Sequence, residues 1–181
     1  MSYTTQNDLL LTKLKEYYGK DGNLDKMLSI INGESRISLR IVDWFATNYA
    51  KKYYTVYDIA ATNLRFKVYT DYKLKLKAYS KRRFDPFCRW DRIHLPYTNG
   101  NYIQTTIGQL NFFKWALEND VIKYIENNYI TIEKDMNTRN STSKHKDNTP
   151  QSKTRKKREE LSISASKTIK KEDIEIIIEF K

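Results

Sequence analysis

The composition of the chain changes abruptly after Glu133, and this change limits how much of the sequence can fold around a core. Residues 135–160 contain one hydrophobic side chain, Met136, among charged and polar residues. Such a segment cannot bury enough apolar surface to offset the conformational entropy that it would lose on ordering. We therefore predict a single folded domain over residues 1–133, a disordered basic tail over 134–171 and a strand-like C-terminal peptide over 172–181.

Within the first 133 residues, hydrophobic side chains recur mainly at helical spacing. The strongest pattern lies in residues 37–52, where one face is apolar throughout. The same spacing predicts helices over 6–18, 24–32, 107–117 and 121–128. The expected N-caps are Asn7 or Asp8 for the first helix, Ser35 for the helix over 37–52, and Thr105 or Thr106 for the helix over 107–117.

Strand patterns are fewer and shorter. Residues 92–97 and 102–105 flank an Asn-Gly pair that is typical of a β-hairpin turn, and YITIE at 129–133 suits a last strand. Upstream, alternation and helical spacing overlap, and we favour a strand at 65–69 that runs into a helix at 70–82. The expected fold class is α+β, a mostly helical single domain with a few short strands, plus the basic disordered C-terminal tail.

The net charge of +11 is concentrated in two blocks. Residues 64–92 carry ten Lys or Arg against three Asp, and residues 134–171 carry twelve basic side chains against four acidic ones. A charge that served only solubility would be spread along the chain, so two blocks indicate a localised surface for a polyanion. We expect the partner to be nucleic acid, either DNA or RNA, bound without sequence specificity.

Residues 77–93, KAYSKRRFDPFCRWDRI, interleave basic and aromatic side chains. Lys and Arg neutralise phosphates, and aromatic faces stack on unpaired bases. Phe84, Phe87 and Trp90 recur at three-residue spacing, so we expect most of these rings to be buried and the cations around them to face solvent. The predicted phosphate-binding residues are Lys73, Lys75, Lys77, Lys81, Arg82, Arg83, Arg89 and Arg92. An auxiliary patch in the tail comprises Lys153, Arg155, Lys156, Lys157 and Arg158.

The C-terminal sequence IEIIIEFK favours an alternative function. Its alternating apolar residues suit an extended strand, which either closes the domain's own sheet or adds to the sheet of a partner. In the second case the protein would be a virion or assembly adaptor. The residues expected to dock on the partner are Ile174, Ile176, Ile178 and Phe180.

Residues 105–128 have the layout of a helix-turn-helix, but their second helix is a weak candidate for reading bases. VIKYIENN carries one Lys beside two Asn and a Glu. Recognition helices present several side chains to the groove and the phosphates. We therefore expect residues 105–128 mainly to form the hydrophobic core of the domain.

Candidate catalytic groups are sparse, and we expect no enzymatic activity, no cofactor and no metal. The sequence lacks the P-loop, GxGxxG, HExxH and GxSxG motifs. A Cys88–His94 pair would lack a third, orienting group. Asp85 and Asp91 lie among arginines, which favours local salt bridges over a metal site. A divergent metal-dependent nuclease that uses these two acids is the second alternative.

The sequence also predicts a protein of the cell interior. No stretch approaches the roughly 20 apolar residues of a membrane span, and the N-terminus lacks the basic and apolar regions of a signal peptide. The single cysteine, Cys88, leaves no internal disulfide, which fits a reducing compartment. We therefore expect an intracellular protein without a membrane partner.

Three stretches carry a family resemblance: SLRIVDWFATNYAKK (38–52), YKLKLKAYSKRRFDPFCRWDRI (72–93) and TTIGQLNFFKWALENDVIKYIENN (105–128). Together they resemble a family of small basic proteins of unknown role in nucleocytoplasmic large DNA viruses, the giant viruses. The resemblance implies a giant-virus-like genome and an ordered unit over 36–130, and it brings no catalytic residues. With such an origin we expect a location in the host cytoplasm or nucleus or in the virion. A nucleic-acid-binding protein of this kind would fit a role in packaging, transcription or replication of the viral genome.

Overall fold

Helices make up most of the part of the chain that the structure describes. The computed structural model describes residues 5–20, 22–97, 102–145 and 171–172. Its helices are α1 (Gln6–Tyr18), α2 (Asn23–Ile31), α3 (Leu39–Trp44), α4 (Ala50–Lys52), α5 (Val68–Arg83), α6 (Ile107–Glu118), α7 (Val121–Asn127) and α8 (Tyr129–His145), and a π-helical turn, Phe45–Tyr49, joins α3 to α4. Its strands are β1 (Val56–Asp58), β2 (Arg65–Lys67), β3 (Arg92–Pro96), β4 (Tyr102–Thr106) and β5 (Lys171–Glu172). Among the described residues no helix has the length and hydrophobicity needed to cross a membrane. The predicted fold class, a mostly helical α+β domain, is confirmed.

The strands form two small antiparallel sheets. β1 pairs with β2, with Tyr57 opposite Phe66, and β3 pairs with β4, with His94 opposite Gln104. β5 lies antiparallel beside β4, where Lys171 is opposite Ile103. The predicted hairpin strands and the passage from strand to helix at β2–α5 are confirmed. The Asn-Gly turn itself lies outside the described residues.

Two helices begin at caps other than those predicted. Thr5, rather than Asn7 or Asp8, caps α1: its hydroxyl accepts the Asp8 N–H at 3.3 Å, and the Asp8 carboxylate accepts the Thr5 N–H at 2.9 Å. Ser38, rather than Ser35, caps α3 by accepting a backbone N–H of the first turn at 3.3 Å. A cap must reach the first free N–H groups, so an apolar pattern alone places it only to within a few residues.

The segment after Asn128 is a helix, and this corrects two predictions. YITIE, predicted as a strand, is the first part of α8, and the predicted domain boundary at 133 lies inside this helix. Ile132 and Met136, one helical turn apart, are both buried in the core. The folded domain therefore includes α8, and the prediction of disorder is wrong where α8 continues past Glu133. Residues 146–170 and 173–181 lie outside the described residues.

The core is centred on α6, which packs against both α1 and α5. The Tyr18 hydroxyl of α1 donates a hydrogen bond to the Leu110 carbonyl at 2.7 Å. Thr106 caps α6 by accepting the Gln109 N–H at 3.1 Å, as predicted. The prediction that residues 105–128 form a main part of the hydrophobic core is confirmed. The buried apolar side chains of α6 are Leu110, Phe112, Phe113, Trp115 and Ala116.

Asp135 fixes α8 against the continuous helix formed by α3, the π-helical turn and α4. Its carboxylate accepts hydrogen bonds from Trp44 Nε1 at 3.2 Å and from the Tyr53 hydroxyl at 3.1 Å, and it forms a salt bridge with Lys52. Arg139, one turn further along α8, lies over the Trp44 ring at 5.5 Å from its centroid. Burial alone would raise the pKa of Asp135, but the hydrogen bonds outweigh burial and hold this pKa below its ordinary value.

Asp135→Asn should weaken the attachment of α8 to the rest of the domain. Asn keeps the shape of the side chain but removes the negative charge to which Trp44, Lys52 and Tyr53 donate. We expect the free energy of unfolding at pH 7 to fall by about 1–3 kcal/mol, as measured by urea denaturation. Lys134→Gln, at the neighbouring exposed position of the same helix, is the control and should change this free energy by less than about 0.5 kcal/mol.

The stability difference between the wild type and Asp135→Asn should shrink in acid. The pKa of Asp135 is lowered in the folded state, so its contribution is complete above about pH 4 and is lost as the pH falls through the folded-state pKa. A difference of constant size from neutral pH to strong acid would contradict the role assigned to the charge of Asp135.

Candidate nucleic-acid interface

Residues 84–88 form a corner between α5 and β3, and the start of α6 holds this corner in place. Gly108 permits the contact: a Cβ at this position would lie 2.9 Å from the carbonyl oxygen of Arg82, too close for any side chain. The Asp85 N–H donates to the Gly108 carbonyl at 3.2 Å, and Gln109 Nε2 donates to the Pro86 carbonyl at 2.8 Å. The corner is therefore a fixed part of the domain.

The aromatic side chains around the corner divide into two groups. Phe84 and Phe87 are buried, and the Phe84 ring centroid lies 5.4 Å from that of Phe112. Tyr79, near the end of α5, is half-buried and stacks on Phe84. Trp90 is 43% exposed. The prediction that most of these rings are structural is confirmed, and Trp90 is the exception.

Two arginines of this stretch form salt bridges with its two aspartates, as predicted. Arg89 binds Asp85 through Nε at 2.9 Å and Nη2 at 2.8 Å, and these hydrogen bonds raise the pKa of Arg89. Arg82 binds Asp91. The Asp85 side chain is 7% exposed, whereas the Asp91 side chain is 80% exposed. The first bridge thus reaches into the protein interior, and the second lies on the surface.

The other two predicted arginines are oriented by neutral partners. Arg83 Nη1 donates to the side-chain oxygen of Gln6 at 2.8 Å, and Arg92 Nη1 donates to that of Gln104 at 2.7 Å. A neutral partner fixes a guanidinium group without cancelling its charge. The surface around the corner is therefore positive even though Arg82 and Arg89 are paired with acids.

Three predicted lysines project from α5 into solvent. Lys73 and Lys77 lie one helical turn apart on the exposed face, and Lys81 follows a kink at Ser80, where φ is 61°. None of these three lysines forms a salt bridge with another residue in the described part of the chain. The charge of α5 is therefore directed outward.

Lys75 and Lys51 change the predicted set of cations. Lys75 is half-buried and lines a small recess with Trp115, away from the exposed face of α5. Lys51, which was not predicted, lies with its Nζ 5.7 Å from the centroid of Tyr69, a ring that borders the groove along α5. The adjacent lysines that end α4 were a weak indication of this site, but only tertiary packing brings them to α5. We use the term basic surface for Lys51, Lys73, Lys77, Lys81, Arg82, Arg83, Arg89 and Arg92.

The remaining predicted binding residues lie outside the described residues. These are the auxiliary patch within 153–158 and the four docking residues within 174–180. The structure describes β5 just before the docking residues, and β5 pairs with β4 of the same chain. Which of the two predicted alternatives applies to the docking residues stays a prediction, because β5 ends at Glu172, before the first of them.

The predicted catalytic candidates lie in different surroundings. Burial raises the pKa of the Cys88 thiol, which disfavours the thiolate. His94 is exposed on β3. Asp85 and Asp91, the acids of the nuclease alternative, are each bound by an arginine. Within the described ranges, no group of three or more His, Cys, Asp or Glu side chains is placed to hold a metal ion.

The two aspartates provide a matched test of the corner. Asp85→Asn leaves Arg89 without its buried charged partner and should lower the free energy of unfolding by about 2–4 kcal/mol. Asp91→Asn removes an exposed bridge and should change this free energy by less than about 1 kcal/mol. Chemical denaturation of both variants measures the difference, and equal effects would contradict the structural role of Asp85.

Sequence similarity extends over nearly the whole chain. Residues 2–181 match the model of a family of unknown function, DUF7197. The chain is also 42% identical over 158 residues to "Uncharacterized protein L507" of Acanthamoeba polyphaga mimivirus, a match that covers 83% of this chain and 61% of the viral protein. The chain thus spans less than two thirds of that relative. No solved structure shows significant similarity to the chain.

The viral relative agrees with the giant-virus resemblance of the three stretches within 38–128. The family match reaches beyond these stretches to both ends of the chain. The protein therefore belongs to the DUF7197 family of unknown function.

Proposed function

We propose that this protein binds nucleic acid through its phosphates, without catalysis, by means of the basic surface. The observation that carries the proposal is the set of outward-facing lysines Lys73, Lys77 and Lys81, which have no salt bridge within the described residues. Such side chains contribute little to folding. Each phosphate that they neutralise, in contrast, releases condensed counterions and so favours binding.

The arginines around the corner support the proposal because their guanidinium groups are already oriented. Arg89 uses Nε and Nη2 on Asp85 and keeps Nη1 for another acceptor. Arg83 and Arg92 each use Nη1 on a glutamine. A guanidinium group has five N–H donors, so each arginine retains donors that suit a phosphate. A cation that is ordered before binding also loses less conformational freedom on binding.

The arrangement favours contacts with the backbone of the nucleic acid over contacts with base edges. Phosphate contacts position a protein but carry no direct sequence information. The second helix of the helix-turn-helix-like segment, α7, offers a single lysine, Lys123. We therefore propose binding without sequence specificity in a cell infected by a large DNA virus, in packaging, transcription or replication of the viral genome. The basic residues of 153–158 would add affinity through adjacent phosphates of the same molecule.

Charge reversal of two α5 lysines tests the proposal. Lys73→Glu/Lys77→Glu should bind fluorescently labelled DNA at least about tenfold more weakly than the wild type in anisotropy measurements at low salt. The slope of log affinity against log salt concentration should decrease by about 1–2, because each lost phosphate contact no longer releases its counterions.

The matched control is Lys13→Glu/Lys20→Glu, which reverses the same number of charges at exposed positions on and just after α1. Both pairs are compared in the full chain with Lys153, Arg155, Lys156, Lys157 and Arg158 replaced by Gln, so that the folded domain dominates binding. An equal loss in both pairs would show a general charge effect and contradict the assigned surface. Absence of binding by the wild type would reject the function.

A further inference from the structure

Of the three tryptophans, two have clear structural roles and Trp90 does not. Trp115 is buried, and its Nε1 donates to Asp71 at 2.6 Å. Trp44 donates from Nε1 to Asp135 at 3.2 Å. Trp90 is 43% exposed, and among the described residues no ring stacking or cation–π contact involves it. A single exposed ring needs no special explanation, so the surroundings of Trp90 decide its significance.

The residues on both sides of Trp90 are tied to different parts of the same structure. Arg89 binds the buried Asp85, and Asp91 binds Arg82 at the end of α5. The Arg89 N–H also donates to the Phe87 carbonyl at 2.9 Å. Trp90 is thus flanked by two salt-bridged residues beside a fixed corner and is itself partly exposed. An aromatic side chain on a fixed backbone presents a large contact area at a small entropic cost.

The charges next to Trp90 indicate the kind of ligand that its ring would contact. Arg89 and Arg92 are its near neighbours in the sequence, and Arg82 is bound to the adjacent Asp91. Single-stranded nucleic acids are bound by this combination, in which cations follow the phosphates and an aromatic face stacks on a base. In a duplex the base faces are stacked on one another, so they are not accessible to a side chain at the surface.

We propose that Trp90 stacks on an unpaired base and that the basic surface therefore prefers single-stranded nucleic acid to duplex. This inference rests on the proposed function, because it assigns the form of nucleic acid that the same surface binds. Every base has an aromatic face, so the preference concerns strand form and not sequence.

Tryptophan fluorescence of the full chain tests the inference with oligo(dT) and a DNA hairpin that carry equal numbers of phosphates. Oligo(dT) should quench the emission of the wild type, and the hairpin should leave it nearly unchanged. Trp90→Phe should lose the quenching but keep part of the affinity, because Phe still stacks. Trp90→Ala should bind oligo(dT) between about 5-fold and 100-fold more weakly, with little change in affinity for the hairpin.

The outcomes separate this inference from the proposed function. If Trp90→Ala binds oligo(dT) as the wild type does, or weakens both ligands equally, Trp90 is not a stacking residue while the nucleic-acid function stands. If the wild type binds neither ligand, the proposed function fails as well. Circular dichroism checks that Trp90→Ala is folded. If it is not, the quenching comparison between the wild type and Trp90→Phe decides the question, because Trp90→Phe keeps a ring at the corner.

Discussion

The close contact between Gly108 and the end of α5 determines the position of the corner and of the cations around it. The first turn of α6 comes so near that a Cβ at 108 would lie 2.9 Å from the Arg82 carbonyl oxygen. Buried polar groups complete the contact, since Gln109 donates to the Pro86 carbonyl at 2.8 Å and Asn111 donates to the Arg83 carbonyl at 2.9 Å. These bonds give a partner to the Arg83 carbonyl, at the end of α5, and to the Pro86 carbonyl, in the corner. Any side chain at 108 would push the corner away from α6.

Residues 77–93 contribute to both the core and the surface, because some of their side chains point inward and others point outward. Phe84 and Phe87 enter the core, and Asp85 remains inside because Arg89 neutralises it. The guanidinium groups and Trp90 then lie outside, on backbone that the core holds in place. The basic and structural interpretations of this stretch are therefore compatible: the buried side chains fix the positions from which the cations extend.

The sequence predicted the elements that depend on local patterns and failed where tertiary contacts decide. The helix over 37–52, the hairpin strands and the local salt bridges of Asp85 and Asp91 follow from spacing and neighbouring charges. The first residues of α8 are rich in β-branched and aromatic side chains, which favour strands. Yet this segment is a helix, because Ile132 and Met136 enter the core and Asp135 binds side chains about 80–90 positions away. No local sequence pattern shows such contacts. The contact between Lys51 of α4 and Tyr69 of α5 likewise could not be predicted from the local sequence.

The central claim, that the basic surface binds nucleic acid, is tested most directly by the reactivity of its individual lysines. The full chain would be acetylated briefly with and without a single-stranded oligonucleotide, and the modified positions quantified by mass spectrometry. The account predicts that Lys73, Lys77 and Lys81 are protected by the oligonucleotide, while Lys13 and Lys20 react as before. Protection confined to the lysines of 153–158, or equal protection at all exposed lysines, would contradict it.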